Sequence, residues 1–158
     1  MSELPLWAPW RLEYIVGPKD EECIFCDPQS PLDTTDKCFT LLNAFPYAPG
    51  HLMVAPYRHV SDLEELDEQE LLELMLLARR AILALRRAMN PAGFNVGLNL
   101  GAVAGAGIAD HLHLHVVPRW EGDNNFMPVI ADTHVLPQAL DATRDVVTEA
   151  LRELDERG

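Results

Sequence analysis

The sequence predicts an α+β fold built on a mainly antiparallel sheet, and three observations predict it. Residues 111–117 alternate histidine with aliphatic side chains, which is the two-residue period of a strand. Residues 38–43, 52–56 and 94–100 are short runs of strand-forming residues, each bounded by turn residues. Residues from about 61 to 89 and from 137 to 156 carry helical periodicity instead. The resulting order is strands, long helix, strands, helix. That differs from the regular alternation of a parallel α/β sheet.

Chain length and charge narrow the class. The 158 residues suffice for one domain with a real core, and no repeat or second domain is visible, so the domain is expected to span 1–158. Hydrophobic residues make up 48% of the chain, which excludes general disorder. No apolar run approaches the ~20 residues that cross a bilayer, so no membrane partner is expected. The opening Met1-Ser2-Glu3-Leu4-Pro5 lacks the basic and apolar regions of a signal peptide, so a cytoplasmic protein is expected. A net charge of −13 argues against a nucleic-acid surface, which needs clustered cations. An anionic small substrate would then depend on local histidines, backbone amides and a few arginines.

The elements follow in order. Residues 1–22, with Trp7 and Trp10 beside Pro9, are expected to be an arm that packs against its own core or another subunit. Cys23-Ile24-Phe25-Cys26 suits half of a tetrahedral zinc site, because thiolates three positions apart in a tight turn can reach one ion. A redox pair is the rival, without the βαβ pattern it needs, and two metal-free thiols are a third reading. Cys38 is expected in the core. Residues 27–36 read as a loop rich in Pro, Asp, Ser and Thr. Residues 45–50, Phe-Pro-Tyr-Ala-Pro-Gly, read as a turn connector between two strands, bracketed by Asn43 and His51.

Ser61 and Glu64 fit a capping box for the long helix, with a later start near Asp67 as the alternative. Leu71, Met75, Ala78, Ile82, Leu85 and Met89 are expected to form its buried stripe, and Leu72, Leu76 and Leu83 a second stripe facing a partner. Asn90-Pro91 stops the helix. The strand at 94–100 sets Asn95 and Asn99 on one face. Gly101–Gly107 is a small-residue loop, either plainly flexible or an anion nest of backbone amides at Gly105, Ala106 and Gly107. Residues 129–135 suggest a short edge strand. The last helix buries Leu140, Val147, Leu151 and Leu154.

The chemistry concentrates at His111-Leu112-His113-Leu114-His115. In a strand the three imidazoles share one face, at ~3.3 Å rise per residue. Three converging ligands for one ion would need a bent strand. An imidazole titrates near neutrality, and its neutral nitrogen is a nucleophile that can attack phosphorus.

The run His111–Val117, His-φ-His-φ-His-φ-φ with φ hydrophobic, resembles the signature of the histidine-triad (HIT) superfamily of nucleotide hydrolases and nucleotidyl transferases. The resemblance extends to Asn43–His51, to Leu52-Met53-Val54-Ala55-Pro56 and to Gly93–Gly101. Tyr57-Arg58 and Arg119-Trp120 look most like the bacterial Ap4A phosphorylase branch. It implies a five-stranded sheet with two main helices, assembled as a homodimer across the long helix and a neighbouring strand. It implies a structural zinc held by Cys23, Cys26, His59 and His111. It implies catalysis by His113, with His115 and His51 at the phosphates and Asn43 on the ribose. Asn99, Gly105, Ala106, Gly107 and Trp120 would line the nucleotide site. Relatives carry a Gln, Ser or Thr toward phosphate where this chain has Ala106 and Gly107, which leaves that work to backbone amides. The implied reaction is phosphorolysis of Ap4A to ADP and ATP through a nucleotidyl-histidine. The alternatives are a hydrolase of dinucleoside polyphosphates or phosphoramidates that releases AMP, and a nucleotide-binding regulatory module.

Overall fold

The computed structural model describes residues 23–106, 111–123 and 136–158. The arm at 1–22, Gly107 and the expected edge strand at 129–135 lie outside the described residues. Five strands form one sheet: β1 (Asp33–Thr34), β2 (Cys38–Leu42), β3 (Leu52–Pro56), β4 (Gly93–Leu98) and β5 (Leu114–Arg119). Their order is β1-β2-β3-β5-β4, and every neighbouring pair is antiparallel. Among the described residues, two long helices accompany the sheet, α1 (Glu68–Met89) and α2 (Leu136–Arg157). The predicted α+β class is therefore the observed one.

Alternation divides the side chains of β2 between two faces. Cys38 joins Leu52, Val54, Leu112, Leu114 and Val116 in the main core beneath the helices. Phe39 and Leu41 join Met53, Ala55 and Phe25 in a second cluster. Cross-strand partners share a face, and the ladder aligns Leu41 with Met53, Met53 with His115, and His115 with Gly97. His115 therefore stands on the face turned away from the main helix-packed core.

Several boundaries differ from the sequence expectation. The loop at 27–36 contains β1, whose two residues are too few to show a period. The helix is capped by Asp67 and Glu70, which satisfy each other's backbone N–H, rather than by Ser61 and Glu64. Ser61 Oγ instead meets Asp62 and Glu65 beside a short 3₁₀ turn. The buried stripe of α1 runs through Leu74, Leu77, Ala78, Ala81, Ala84 and Leu85. Leu71 and Met75 are exposed, contrary to expectation. The apolar residues of α1 surround more of its circumference than one core can cover, so period alone does not choose the buried sector. The triad strand starts at Leu114, leaving His111 and His113 in the extended approach to it.

Candidate functional site

Four donors converge where the Cys-Ile-Phe-Cys turn meets the approach to β5. The His111 Nδ1 atom lies 3.2 Å from Cys23 Sγ, 3.7 Å from Cys26 Sγ and 3.2 Å from His59 Nδ1. Cys26 Sγ lies 3.1 Å from His59 Nδ1. All four donor atoms fall within 4.8 Å of one another. A tetrahedral shell with bonds of about 2.0–2.3 Å spaces its ligands roughly 3.3–3.8 Å apart, so two thiolates and two imidazoles in this arrangement fit one zinc ion. His111 Nε2–H donates to the Pro56 carbonyl at 2.8 Å, leaving Nδ1 with its lone pair toward the other donors. That outer bond is the usual device for orienting a metal-binding imidazole.

His113 follows two residues later. Its Nδ1–H donates to the His111 carbonyl at 2.8 Å, because a carbonyl can only accept. In the neutral ring this puts the lone pair on Nε2, the tautomer a nucleophile needs. The ring is 6% exposed, and burial holds its pKa below the ordinary histidine value while the His111 carbonyl works the other way. Phe25 stacks on it with ring centres 4.8 Å apart and planes 26° apart, and also meets His111 at 5.3 Å. The Cys-x-x-Cys pattern by itself gives Phe25 no role. A large aromatic inside a metal-type turn was the available signal, since it must bury somewhere.

His115 meets His113 edge-on at 4.8 Å and lies 2.8 Å, Nδ1 to Nε2, from His51. His51 is fully buried, and its Nδ1 accepts the Tyr47 main-chain N–H at 3.0 Å. Gly50 delivers the chain to His51 with φ +80°, a conformation that favours glycine. The Asn43 amide lies 3.4 Å from both His51 ring nitrogens, and its Oδ1 accepts the Phe45 N–H at 2.8 Å. The structure thus brings together Cys23, Cys26, His59 and His111 as one group, and Asn43, His51, His113 and His115 as an adjoining one.

The remaining expected residues sit around this centre. Leu98 pairs with Leu114, so the same register sets Asn99 level with His113, one step past the ladder. Gly105 and Ala106 follow a 3₁₀ turn at Ala102–Ala104, where Gly105 is exposed. Trp120 is half-buried in the turn after β5, where its main-chain N–H donates to Asp123. The two arginines of the phosphorylase-like sequence are engaged elsewhere. Arg119 forks onto Asp123 and also reaches Asn95, and Arg58 forks onto Glu70.

A model of the HIT domain matches residues 27–122. The chain belongs to the HIT family. Among its relatives, an AP-4-A phosphorylase of Mycobacterium tuberculosis is 41% identical, over 94% of this chain and 85% of that protein. A bis(5'-adenosyl)-triphosphatase of Dictyostelium discoideum is 33% identical, over 57% and 60%. HIT structures share the fold. A hypothetical histidine triad nucleotide-binding protein of Sulfolobus tokodaii superposes with a TM-score of 0.69 at 25% identity, covering 84% of this chain and 93% of that one. A Zn-bound histidine triad family protein of Mycobacterium smegmatis has the same TM-score at 24% identity, covering 86% and 97%. Among the described residues of this HIT protein, no helix is long and apolar enough to cross a membrane.

Proposed function

We propose that this HIT protein is a nucleotidyl transferase that phosphorolyses diadenosine polyphosphates, with Ap4A as substrate. The observation that carries the reading is the buried His113 imidazole, held by the His111 carbonyl with Nε2 as its nucleophilic nitrogen. Nε2 attacks the α-phosphorus of Ap4A. The P–O bond to the remaining chain breaks, ATP departs, and AMP stays joined to the ring through a P–N bond. Inorganic phosphate then attacks the same phosphorus, the P–N bond breaks, and ADP leaves. His115, beside His113, stabilises the phosphate charge, with Asn99 as a further donor. Asn43 takes the ribose. The backbone amides of Gly105, Ala106 and Gly107 serve the phosphates, and Trp120 borders the acceptor side. The similarity to the mycobacterial AP-4-A phosphorylase supports the choice of substrate and second nucleophile.

A structural zinc is part of the reading. The four-donor cluster supports Cys23, Cys26, His59 and His111 as its ligands. A zinc ion there would neutralise the two thiolates and stiffen the turn that carries Phe25. A cytoplasmic homodimer completes the proposal. It is supported by exposed Leu72, Met75 and Leu83 on α1, and by exposed Val96 on β4 at one edge of the sheet.

Hydrolysis to AMP and ATP is the second reading. It is favoured by the ion pairs of Arg119 and Arg58, which commit both guanidiniums to neighbouring carboxylates. Product analysis at fixed Ap4A decides between them. Phosphorolysis requires ADP and ATP to rise together as phosphate is raised. AMP and ATP formed at a phosphate-independent rate would establish the hydrolase instead. A His113→Ala variant as active as wild type would remove both readings.

A further inference from the structure

We infer that His51 is a positioning residue, which acts through His115 and imposes one tautomer on it, and that the main-chain amide of Tyr47 sets the direction of the whole chain. The inference rests on the reading of His115 as the donor on the phosphate side. It assigns His51 a place behind that donor rather than on the substrate.

The argument starts from an atom with no choice. The Tyr47 main-chain N–H can only donate, and it lies 3.0 Å from His51 Nδ1. His51 Nδ1 is therefore a bare acceptor. A ring with both nitrogens bare would be an imidazolate, which is far too basic to persist near neutrality. A doubly protonated ring would point an N–H at the Tyr47 N–H. His51 is thus neutral, with its proton on Nε2. That atom lies 2.8 Å from His115 Nδ1, so Nε2–H donates and His115 Nδ1 accepts. The same exclusion then applies one ring further. His115 is held neutral with its proton on Nε2, the nitrogen pointing away from His51. A single backbone amide has fixed two tautomers in series.

The surroundings hold the geometry. His51 N–H donates to the Ala48 carbonyl, and its own carbonyl accepts the Asn43 N–H, so the backbone on both sides of the connector is tied. The Tyr47 ring stacks on His51 at 5.2 Å and meets His115 edge-on at 6.5 Å. The Asn43 amide, at 3.4 Å from both His51 nitrogens, is at the outer limit of a hydrogen bond, so the Tyr47 amide decides the tautomer. Nucleophile and donor are thereby set in the same way, each through its Nδ1 contact. His113 donates from Nδ1 and keeps a bare Nε2, whereas His115 accepts at Nδ1 and keeps Nε2–H.

The test is nitrogen NMR on the full chain labelled with 15N-histidine, with each ring assigned by single substitution. Wild type should show His51 and His115 protonated at Nε2 and bare at Nδ1, without any substrate present. His51→Gln retains an amide N–H donor to His115, so the His115 pattern and most of the turnover should survive. His51→Leu retains none, so His115 should become a tautomer mixture and kcat should fall by about tenfold, the bias of one hydrogen bond. His115 protonated at Nδ1 in wild type would overturn the inference. So would an unaltered His115 spectrum in a folded His51→Leu protein. The wild-type spectrum decides the tautomer by itself, so misfolding of the leucine variant does not shelter the idea. The expected spectrum from a protein inert toward Ap4A would reject the proposed substrate and leave the inference standing.

Discussion

At the scale of single residues, the three cysteines and the arginine that ends β5 are told apart by what surrounds them. Cys38 is fully buried, and burial, reinforced by the charges of Glu73 and Glu70, pushes its thiol up to about 12. Cys23 and Cys26 lie at the four-donor cluster. Protein purified without added metal is expected to carry one zinc per chain. After chelation, two thiols per chain should react with a thiol reagent while Cys38 stays protected until unfolding. Metal-free, fully stable protein as isolated would defeat the zinc proposal. Arg119 makes a different point. Its guanidinium holds the Asp123 carboxyl down at about 2. A depressed folded pKa means this pair supports the fold above the ordinary carboxylate range and loses that contribution as pH falls toward about 2. Arg119→Gln should return Asp123 toward the ordinary carboxylate range in a carboxyl NMR titration, with the KM for phosphate unchanged. A large rise in that KM would mean Arg119 leaves Asp123 to bind the acceptor.

Among the elements, the connector from β2 to β3 is the one whose shape matters most to the site. Gly50 has φ +80°, and a Cβ there would lie 2.8 Å from Met89 Sδ, 2.9 Å from Leu85 Cδ2 and 3.2 Å from Pro118 Cγ. The turn is thus pressed onto the end of α1 and onto β5 just before it delivers His51. Gly50→Ala should cost about 1–3 kcal/mol in urea unfolding, through crowding and the left-handed backbone together. It should also displace His51 from His115, so activity should fall further than stability alone predicts. An alanine variant with wild-type stability would show that the neighbours give way freely. The helix start illustrates another local choice. Asp67 and Glu70 form the capping box and Arg58 forks onto Glu70, so the same carboxylate caps the helix and ties down the segment after β3.

On the scale of the whole molecule, the two faces of the sheet have different tasks. One is packed beneath α1, and α2 adds Val147, Ala150 and Leu151 to the same core. The other carries the Phe25 cluster and His115. The outward side of α1 retains Leu72, Met75 and Leu83 in exposed positions, two of them 52% and 57% accessible. If these residues meet a second copy, light scattering should report twice the chain mass, and Met75→Lys with Leu83→Glu should halve it. A monomeric wild-type protein at micromolar concentration would end the dimer proposal.

The sequence by itself determined the kinds of element, the family and the chemically able residues. Those signals are local. Alternation at 111–117, a helical period and a Cys-x-x-Cys turn each lie within a few residues, and the chemistry of a side chain is independent of the fold. Tertiary structure decided which of them meet. His51 and His115 are 64 positions apart, and no period relates them. Phe25 reaches His113 only because the turn folds back across the sheet. Arg119 had the right chemistry for phosphate, and its position placed it on Asp123. On α1, apolar residues lie around several sectors, and contact with the sheet chose Leu74 over Leu71. The physical reason is the same in each case. A local pattern states what a residue is able to bury or bind, whereas long-range packing settles what stands opposite it.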